Sequence, residues 1–306
     1  MKRAVLLLLA AGSLVPARAV FTAAPQAGAP SVLAPGATVD KIAGDFIFTE
    51  GPASDDRGNL FFVDQDNNRI MEYDTAGKLT TFMQPSGYSN GMTFDEHGQL
   101  IACADEKNEM WSIDPATKTV TPLFNTYEGK LLNGPNDVWV NPKTGLIYFT
   151  DPYYARKWWN RGPKESPETV YVYSRATKKM TRIIDDMQQP NGIIGTPDGR
   201  TLYVSDIRGR KTFVYDIAAD GTLANKRPFC DMGSDGMTID SEGNVYLTSG
   251  RAVHVFGKSG TEIESIPVEQ APANVAFAGS DHRTLFITAR TGLYAVKTRV
   301  TGVGPQ

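Results

Sequence analysis

Six residues that carry side-chain oxygen stand at the head of six similar segments: Glu50, Asn90, Asn136, Asn191, Asp235 and Asn274. The fullest copy reads Ser234-Asp235-Gly236-Met237-Thr238-Ile239-Asp240, followed by the turn Ser241-Glu242-Gly243-Asn244 and the apolar run Val245 to Leu247. Oxygen donors are the ligands of hard cations. Two carboxylates, Glu50 and Asp235, with amide oxygens from Asn136, Asn191 and Asn90, form a set that calcium accepts readily and magnesium or manganese under stricter geometry. Asn and Asp before Gly also cap turns, so any single copy has a plain structural reading. The carboxylates of the first and fifth copies go beyond it, because a strand-entry turn does not require a charge.

For these residues to act together, the chain must bring them to one place. The copies lie roughly 40 to 55 residues apart, near the repeat of a four-stranded propeller blade. Within a copy the segments read as short strands, such as Leu60–Val63, Arg69–Tyr73 and Leu79–Phe82, separated by Asp66-Asn67-Asn68 and Thr75-Ala76-Gly77-Lys78. β-branched and aromatic residues dominate them, as stacked sheets need. The sequence therefore predicts an all-β fold, a six-bladed β-propeller with four antiparallel strands per blade. The first strand of each blade lines the channel, so the six lead residues converge on its axis. A sandwich would have no reason to repeat the same lead residue. The last repeat supplies only three strands, Val275–Phe277, Thr284–Thr288 and Gly292–Lys297. The segment 38–48 is predicted to supply the fourth, so that an N-terminal strand closes the ring and leaves no long free edge.

The third repeat carries an insertion, residues 153–168, with Tyr153, Tyr154, Trp158, Trp159, Arg156, Lys157 and Arg161 close together. A long loop runs over the surface. This one reads either as a lid that meets a polar ligand, with Tyr153 and Trp158 as contacts, or as a cover for a blade edge or subunit interface.

The ends and the composition bound the remainder. Met1-Lys2-Arg3, an apolar run and Ala17-Arg18-Ala19 form a secretory-signal layout. The expected organisation is a signal peptide at 1–19, a flexible tail at 20–37, one propeller domain at 38–300 and a short tail at 301–306. The mature protein is expected to be exported, periplasmic or secreted, without a membrane span. The formal charge of −3 includes Lys2, Arg3 and Arg18 of the signal, so the mature chain is more acidic still and offers no footprint for nucleic acid. Cys103 and Cys230 lie in different repeats and are read as two separate thiols. None of His97, His254 and His282 heads an inner strand. That leaves little support for nitrogen- and sulfur-ligated zinc or a serine triad, and there is no G-x-S-x-G, P-loop or dinucleotide fingerprint.

Glu50-Gly51-Pro52, Leu132-Asn133-Gly134-Pro135-Asn136-Asp137-Val138, Pro190-Asn191-Gly192 with Pro197-Asp198-Gly199-Arg200-Thr201-Leu202-Tyr203, and Ser234-Asp235-Gly236-Met237 occur in this order. Together they resemble the gluconolactonase/regucalcin (senescence marker protein) family, over about residues 40–297. The resemblance implies a six-bladed propeller with one divalent cation in its channel, calcium first and magnesium, manganese or zinc as alternatives, and hydrolysis of sugar lactones. It also implies roles. Glu50, Asn191 and Asp235 match metal ligands, Asp235 also matches the catalytic acid/base, and Asn136 matches a residue that faces substrate. Asn90 joins Asn136, Tyr153 and Trp158 as an expected substrate contact. Asp137 is expected to hydrogen-bond behind the ligands. The chain departs from regucalcin at Gly134, where regucalcin has Arg, and its aromatic insertion has no clear counterpart of the family's acidic substrate contact. The leading expectation is a metal-dependent lactonase acting on a small-molecule sugar lactone such as D-glucono-1,5-lactone. The alternatives are a propeller esterase or lactonase for a non-sugar or organophosphate substrate, and a non-catalytic exported sugar-binding propeller. Oligomeric state is left open.

Overall fold

The computed structural model describes residues 30–303. The expected signal peptide and residues 20–29 of the expected tail lie outside them, as do residues 304–306. Six four-stranded antiparallel sheets follow one another along the chain, and their first strands are Thr49–Ser54, Ser89–Phe94, Val138–Val140, Pro190–Gly195, Met237–Ile239 and Pro272–Ala278. Each first strand touches the first strands of its two neighbours, so the six form a closed inner ring. The all-β, six-bladed propeller read from the repeats is the fold observed. A two-residue hairpin, Thr126–Tyr127 with Lys130–Leu131, stands before blade 3 and has no counterpart in the sequence reading.

The N-terminal segment closes the ring as expected. Asp40–Ala43 pairs antiparallel with Gly292–Lys297, Asp40 opposite Ala295 and Lys41 opposite Tyr294. Of the tail, residues 30–37 are packed on blades 5 and 6. Val32 is fully buried, its N–H donates to Glu264 Oε2 at 2.7 Å, and Leu33 bridges Thr298.

The core lies between the faces of adjacent blades rather than in the channel. Aromatic pairs mark the seams: Phe61 of blade 1 against Phe94 of blade 2 at 5.3 Å, Phe229 of blade 4 against Phe256 of blade 5 at 6.0 Å, Tyr246 of blade 5 against Phe277 of blade 6 at 5.2 Å, and Tyr73 of blade 1 against Phe286 of blade 6 at 5.7 Å. Offset and edge contacts of this kind add to area burial. In blades 1, 2 and 5 the turn after the inner strand is fixed by its leading Asp. Asp55 Oδ1 accepts from the N–H groups of Arg57 and Asn59, Asp95 Oδ1 from His97 and Gln99, and Asp240 Oδ1 from Glu242 and Asn244. This is why a Gly-containing acidic turn recurs in the sequence. Among the described residues no helix is long and apolar enough to cross a membrane.

Candidate functional site

The inner strands lose ladder register at or beside the lead residues: between Glu50 and Ala53, Ser89 and Met92, Pro190 and Ile193, and Pro272 and Asn274. A bulge re-aims the side chain at its position. In blades 3 and 5 the ladder begins only at Val138 and Met237, two residues after Asn136 and Asp235. The Gly after the lead residue has a separate cause, the close approach of neighbouring inner strands. A Cβ at Gly91 would stand 2.5 Å from Asn136 O, and one at Gly236 would stand 2.0 Å from Asn274 Cγ. In blade 3 this position is Asp137, whose carboxylate accepts from Val138 N at 3.1 Å and Ile193 N at 3.4 Å.

The ring gathers Glu50, Asn191 and Asp235 at the channel. Asn191 is buried and donates its side-chain N–H to Asp235 Oδ1 at 2.8 Å. Glu50 is buried and accepts from Gly51 N at 2.9 Å through Oε2. Burial holds the Glu50 carboxyl well above the ordinary carboxylate range, with the nearby charge of Asp235 adding to it. Asp235 is only half-buried by exposed surface, yet protein surrounds its carboxyl closely enough to push it up to about 6, against the Asn191 hydrogen bond and the charges of Arg156 and Arg290. Asp137, one layer deeper, is pushed up to about 7 by burial, against the N–H groups of Val138 and Ile193. Below it the channel narrows to a cavity of about 20 Å³ lined by Asp137, Ile193, Met237 and Asn274, room for about one water. Larger cavities lie away from this chemistry; one of about 540 Å³ between blades 1 and 6 contains none of the six lead residues.

The six lead residues divide by role. Asn274 turns its Oδ1 onto its own strand, accepting from Val275 N at 2.8 Å, and its amide sits beside both Glu50 and Asp137, where it opposes their upward shift. It supports the acids from behind. Asn90 and Asn136 are buried, and among the described residues their side-chain amides form no hydrogen bond; the Asn136 backbone is held by Thr150 O at 2.9 Å and Gly91 N at 2.7 Å. Their amides are therefore free for a ligand.

The donor set suits a hard divalent cation on two observations. Two carboxylates crowd one another in a buried site, and Asn191 Oδ1 is buried with no hydrogen-bond partner, an arrangement that is costly unless something positive faces it. Among the described residues no three His, Cys, Asp or Glu side chains are gathered as a metal-binding group. Any cation here rests on Glu50, Asp235 and the Asn191 amide oxygen, which would hold it.

The insertion of blade 3 lies over blades 1 to 4. Lys157 Nζ reaches Asp66 Oδ2 at 2.6 Å, Arg156 Nε reaches Asp105 Oδ2 at 2.7 Å, Trp159 Nε1 donates to Asp105 O at 2.6 Å, and Arg161 Nη1 donates to Leu132 O at 2.7 Å. Of the two expected contacts, Trp158 stacks on Tyr88 at 4.3 Å and 12°, its indole N–H buried without a partner. Tyr153 instead packs on Trp159 and lies beneath Arg161. The residue that reaches the channel is its neighbour Tyr154, whose Oη accepts a second N–H from Asn191 at 3.0 Å. Sequence reasoning missed it. Two adjacent tyrosines in a strandless loop carry no periodicity to say which one turns inward.

A family profile described as SMP-30/Gluconolactonase/LRE-like region matches residues 48–291. The gluconolactonase of Zymomonas mobilis is 27% identical over 296 residues, covering 86% of this chain and 82% of its own. A solved structure described as a gluconolactonase from Xanthomonas campestris superposes with a TM-score of 0.80 at 26% identity, over 87% of this chain and 91% of that one. A calcium-binding protein, regucalcin from Agrobacterium tumefaciens, shares the fold with a TM-score of 0.72 at 20% identity, over 86% of this chain and 94% of that one. With the profile spanning the propeller from its first inner strand into its last blade, the chain belongs to the SMP-30/gluconolactonase/LRE-like family.

Proposed function

We propose that this protein hydrolyses sugar lactones at the mouth of its channel, with a divalent cation, calcium first among the candidates, held by Glu50, Asn191 and Asp235. The observation that carries the reading is the Asn191 amide. It donates to Asp235 and leaves its Oδ1 buried and unpaired beside two crowded carboxylates. The gluconolactonases of Zymomonas mobilis and Xanthomonas campestris among the relatives support the substrate class. When bound, such a cation supplies Lewis-acid polarisation of the lactone carbonyl.

The chain's own residues supply the rest. Asp235 is the carboxylate placed to take a proton from water attacking the carbonyl carbon. As the ring C–O bond breaks, the same proton passes to the ring oxygen, giving the open hydroxy acid. Asn191 fixes Asp235 by its hydrogen bond at 2.8 Å, so the carboxylate needs no reorientation during reaction. The free amides of Asn136 and Asn90 orient the lactone's oxygens, and the blade 3 insertion, with Trp158, covers the sugar. Calcium acidifies water far less than zinc does, which is why a carboxylate base is needed at all.

The test is proton release from D-glucono-1,5-lactone by the mature protein, after chelator treatment and again after adding back calcium, magnesium, manganese or zinc. Turnover above the spontaneous rate that needs a cation is the expected result. Absence of turnover on this and other sugar lactones would overturn the reading and favour an ester substrate or a binding role. Export belongs to the same proposal and rests on the sequence of residues 1–19. Recovery of the protein in the periplasmic fraction with an N-terminus after Ala19 would bear it out.

A further inference from the structure

We propose that Tyr154 is a positioning residue of the channel site, one that locks the Asn191 amide with its oxygen toward the channel and so couples the blade 3 insertion to cation binding. The inference rests on the cation reading above and assigns to it a residue from outside the inner ring.

The argument begins with what an amide can do. Asn191 has two N–H donors and one carbonyl oxygen. Its nitrogen lies 2.8 Å from Asp235 Oδ1 and 3.0 Å from Tyr154 Oη. An ionised carboxylate only accepts, so the edge of the amide facing Asp235 must be nitrogen. A single hydrogen bond to Asp235 leaves that nitrogen a second, uncommitted proton and leaves the amide free to swing about its side-chain torsions. Tyr154 takes the second proton. With both protons engaged, Oδ1 can only face away from Asp235 and Tyr154, where it is buried and unpaired. The tyrosine hydroxyl spends a lone pair on this contact and keeps its own proton. That proton has no acceptor among the described residues and is available to a ligand oxygen in the channel mouth.

Tyr154 is itself held from outside the ring. Two residues on, Arg156 lies over the Tyr154 ring at 5.4 Å and bonds Asp105 of blade 2 at 2.7 Å. Lys157 reaches Asp66 of blade 1 at 2.6 Å, and Trp158 stacks on Tyr88 of blade 2. The insertion is thus docked on two blades and touches a third, blade 4, through Asn191. Partners that orient a metal-ligating group change metal affinity when removed even though they never touch the ion. Coupling of this kind is reciprocal: if the docked loop favours the cation, the cation favours the docked loop.

The experiment is a calorimetric titration of calcium, and separately manganese, into chelator-treated wild-type, Tyr154→Phe and Lys157→Ala proteins. Tyr154→Phe keeps the ring and its packing and removes the acceptor. It is expected to bind the cation about 10-fold more weakly, with an unchanged melting temperature in the absence of cation. Lys157→Ala removes an exposed loop anchor and leaves the Tyr154 hydroxyl in place, so it is expected to weaken cation binding less than Tyr154→Phe does; an equal or larger loss would assign the effect to a loosened loop rather than to the hydrogen bond. Hydrogen exchange of residues 153–163 should slow on adding cation to the wild type and not to Tyr154→Phe. Equal cation affinity of wild type and Tyr154→Phe would overturn the assignment while leaving the cation site intact. Absence of cation binding by the wild type would overturn the assignment together with the reading it rests on.

Discussion

Arg156 Nε donates to Asp105 Oδ2 at 2.7 Å, and this one ion pair ties the insertion of blade 3 to the end of the second strand of blade 2. Asp105 is almost fully buried, and burial pushes its carboxyl up to about 6 even with Arg156 and Arg161 opposing the shift. The folded protein therefore holds a proton on Asp105 between about pH 4 and 6 that the unfolded chain does not. Through that window this residue's contribution to stability falls as pH rises.

Arg156→Ala takes away the opposing charge, so the Asp105 carboxyl rises further. The variant's loss of stability is then expected to be greatest above pH 7, about 1 to 3 kcal/mol for a buried carboxylate left without its donor, and to shrink toward pH 5, where Asp105 is neutral in both proteins. Thermal melts of the two proteins at pH 5 and pH 8 check this. A deficit that is constant with pH would mean the contact is packing alone.

At the channel, Asp235→Asn keeps an oxygen for Asn191 to donate to and removes the base. Turnover of a sugar lactone is expected to fall by about 10²- to 10⁴-fold with the fold retained. Asn274→Ala, which lies behind the acids with its oxygen committed to Val275 N, is expected to lower melting temperature more than turnover. Steady-state kinetics beside circular dichroism separates the two, and comparable activity of both variants would count against Asp235 as the base.

The inner ring has no spare room where Gly236 meets blade 6. A methyl group there would stand 2.0 Å from Asn274 Cγ and Oδ1 and 2.6 Å from its Cα, so backbone has to move. Gly236→Ala is expected to cost about 1 to 3 kcal/mol, read as a lowered denaturation midpoint. Gly162→Ala, in the insertion, meets nothing within 4 Å and is expected to stay within about 0.5 kcal/mol of the wild type.

Ring closure gives a stability test of its own. A chain beginning at Glu50 lacks the strand Asp40–Ala43 and the buried side chains of Val32 and Phe46. At about 1.5 to 3 kcal/mol for each buried side chain of this size, the loss is about 3 to 6 kcal/mol before the exposed edge of Gly292–Lys297 is considered. Equal melting temperatures for this chain and one beginning at Pro30 would refute the closure.

How much of this was legible in the sequence follows from how local each cause is. Alternating apolar runs and acidic Gly turns reflect interactions within a few residues, so strands such as Arg69–Tyr73 and Gly292–Lys297 were readable to the residue. Repetition then did what single motifs could not. A lead residue recurring at blade spacing determined the propeller, and with it the convergence of Glu50, Asn191 and Asp235. Even the closing strand was legible, because a last repeat one strand short has to find its partner elsewhere in the chain.

What only the tertiary structure decided lies where contacts join distant blades without a repeat to announce them. Asn274 heads its inner strand as Asn191 does, yet its amide turns back on its own strand and supports two carboxylates, with Gly236 of the neighbouring strand hard against it. Asp137 stands where blades 1, 2, 4 and 5 have Gly, and its carboxylate is held in the channel by the N–H of Ile193, 56 residues away. Tyr154, rather than Tyr153, reaches Asn191 because Asp66, Asp105 and Leu132 pull the insertion across two other blades and a segment preceding its own. A side chain in a loop without regular backbone has no local rule for its direction. The surfaces it docks on set that direction, and they come together only when the ring has closed.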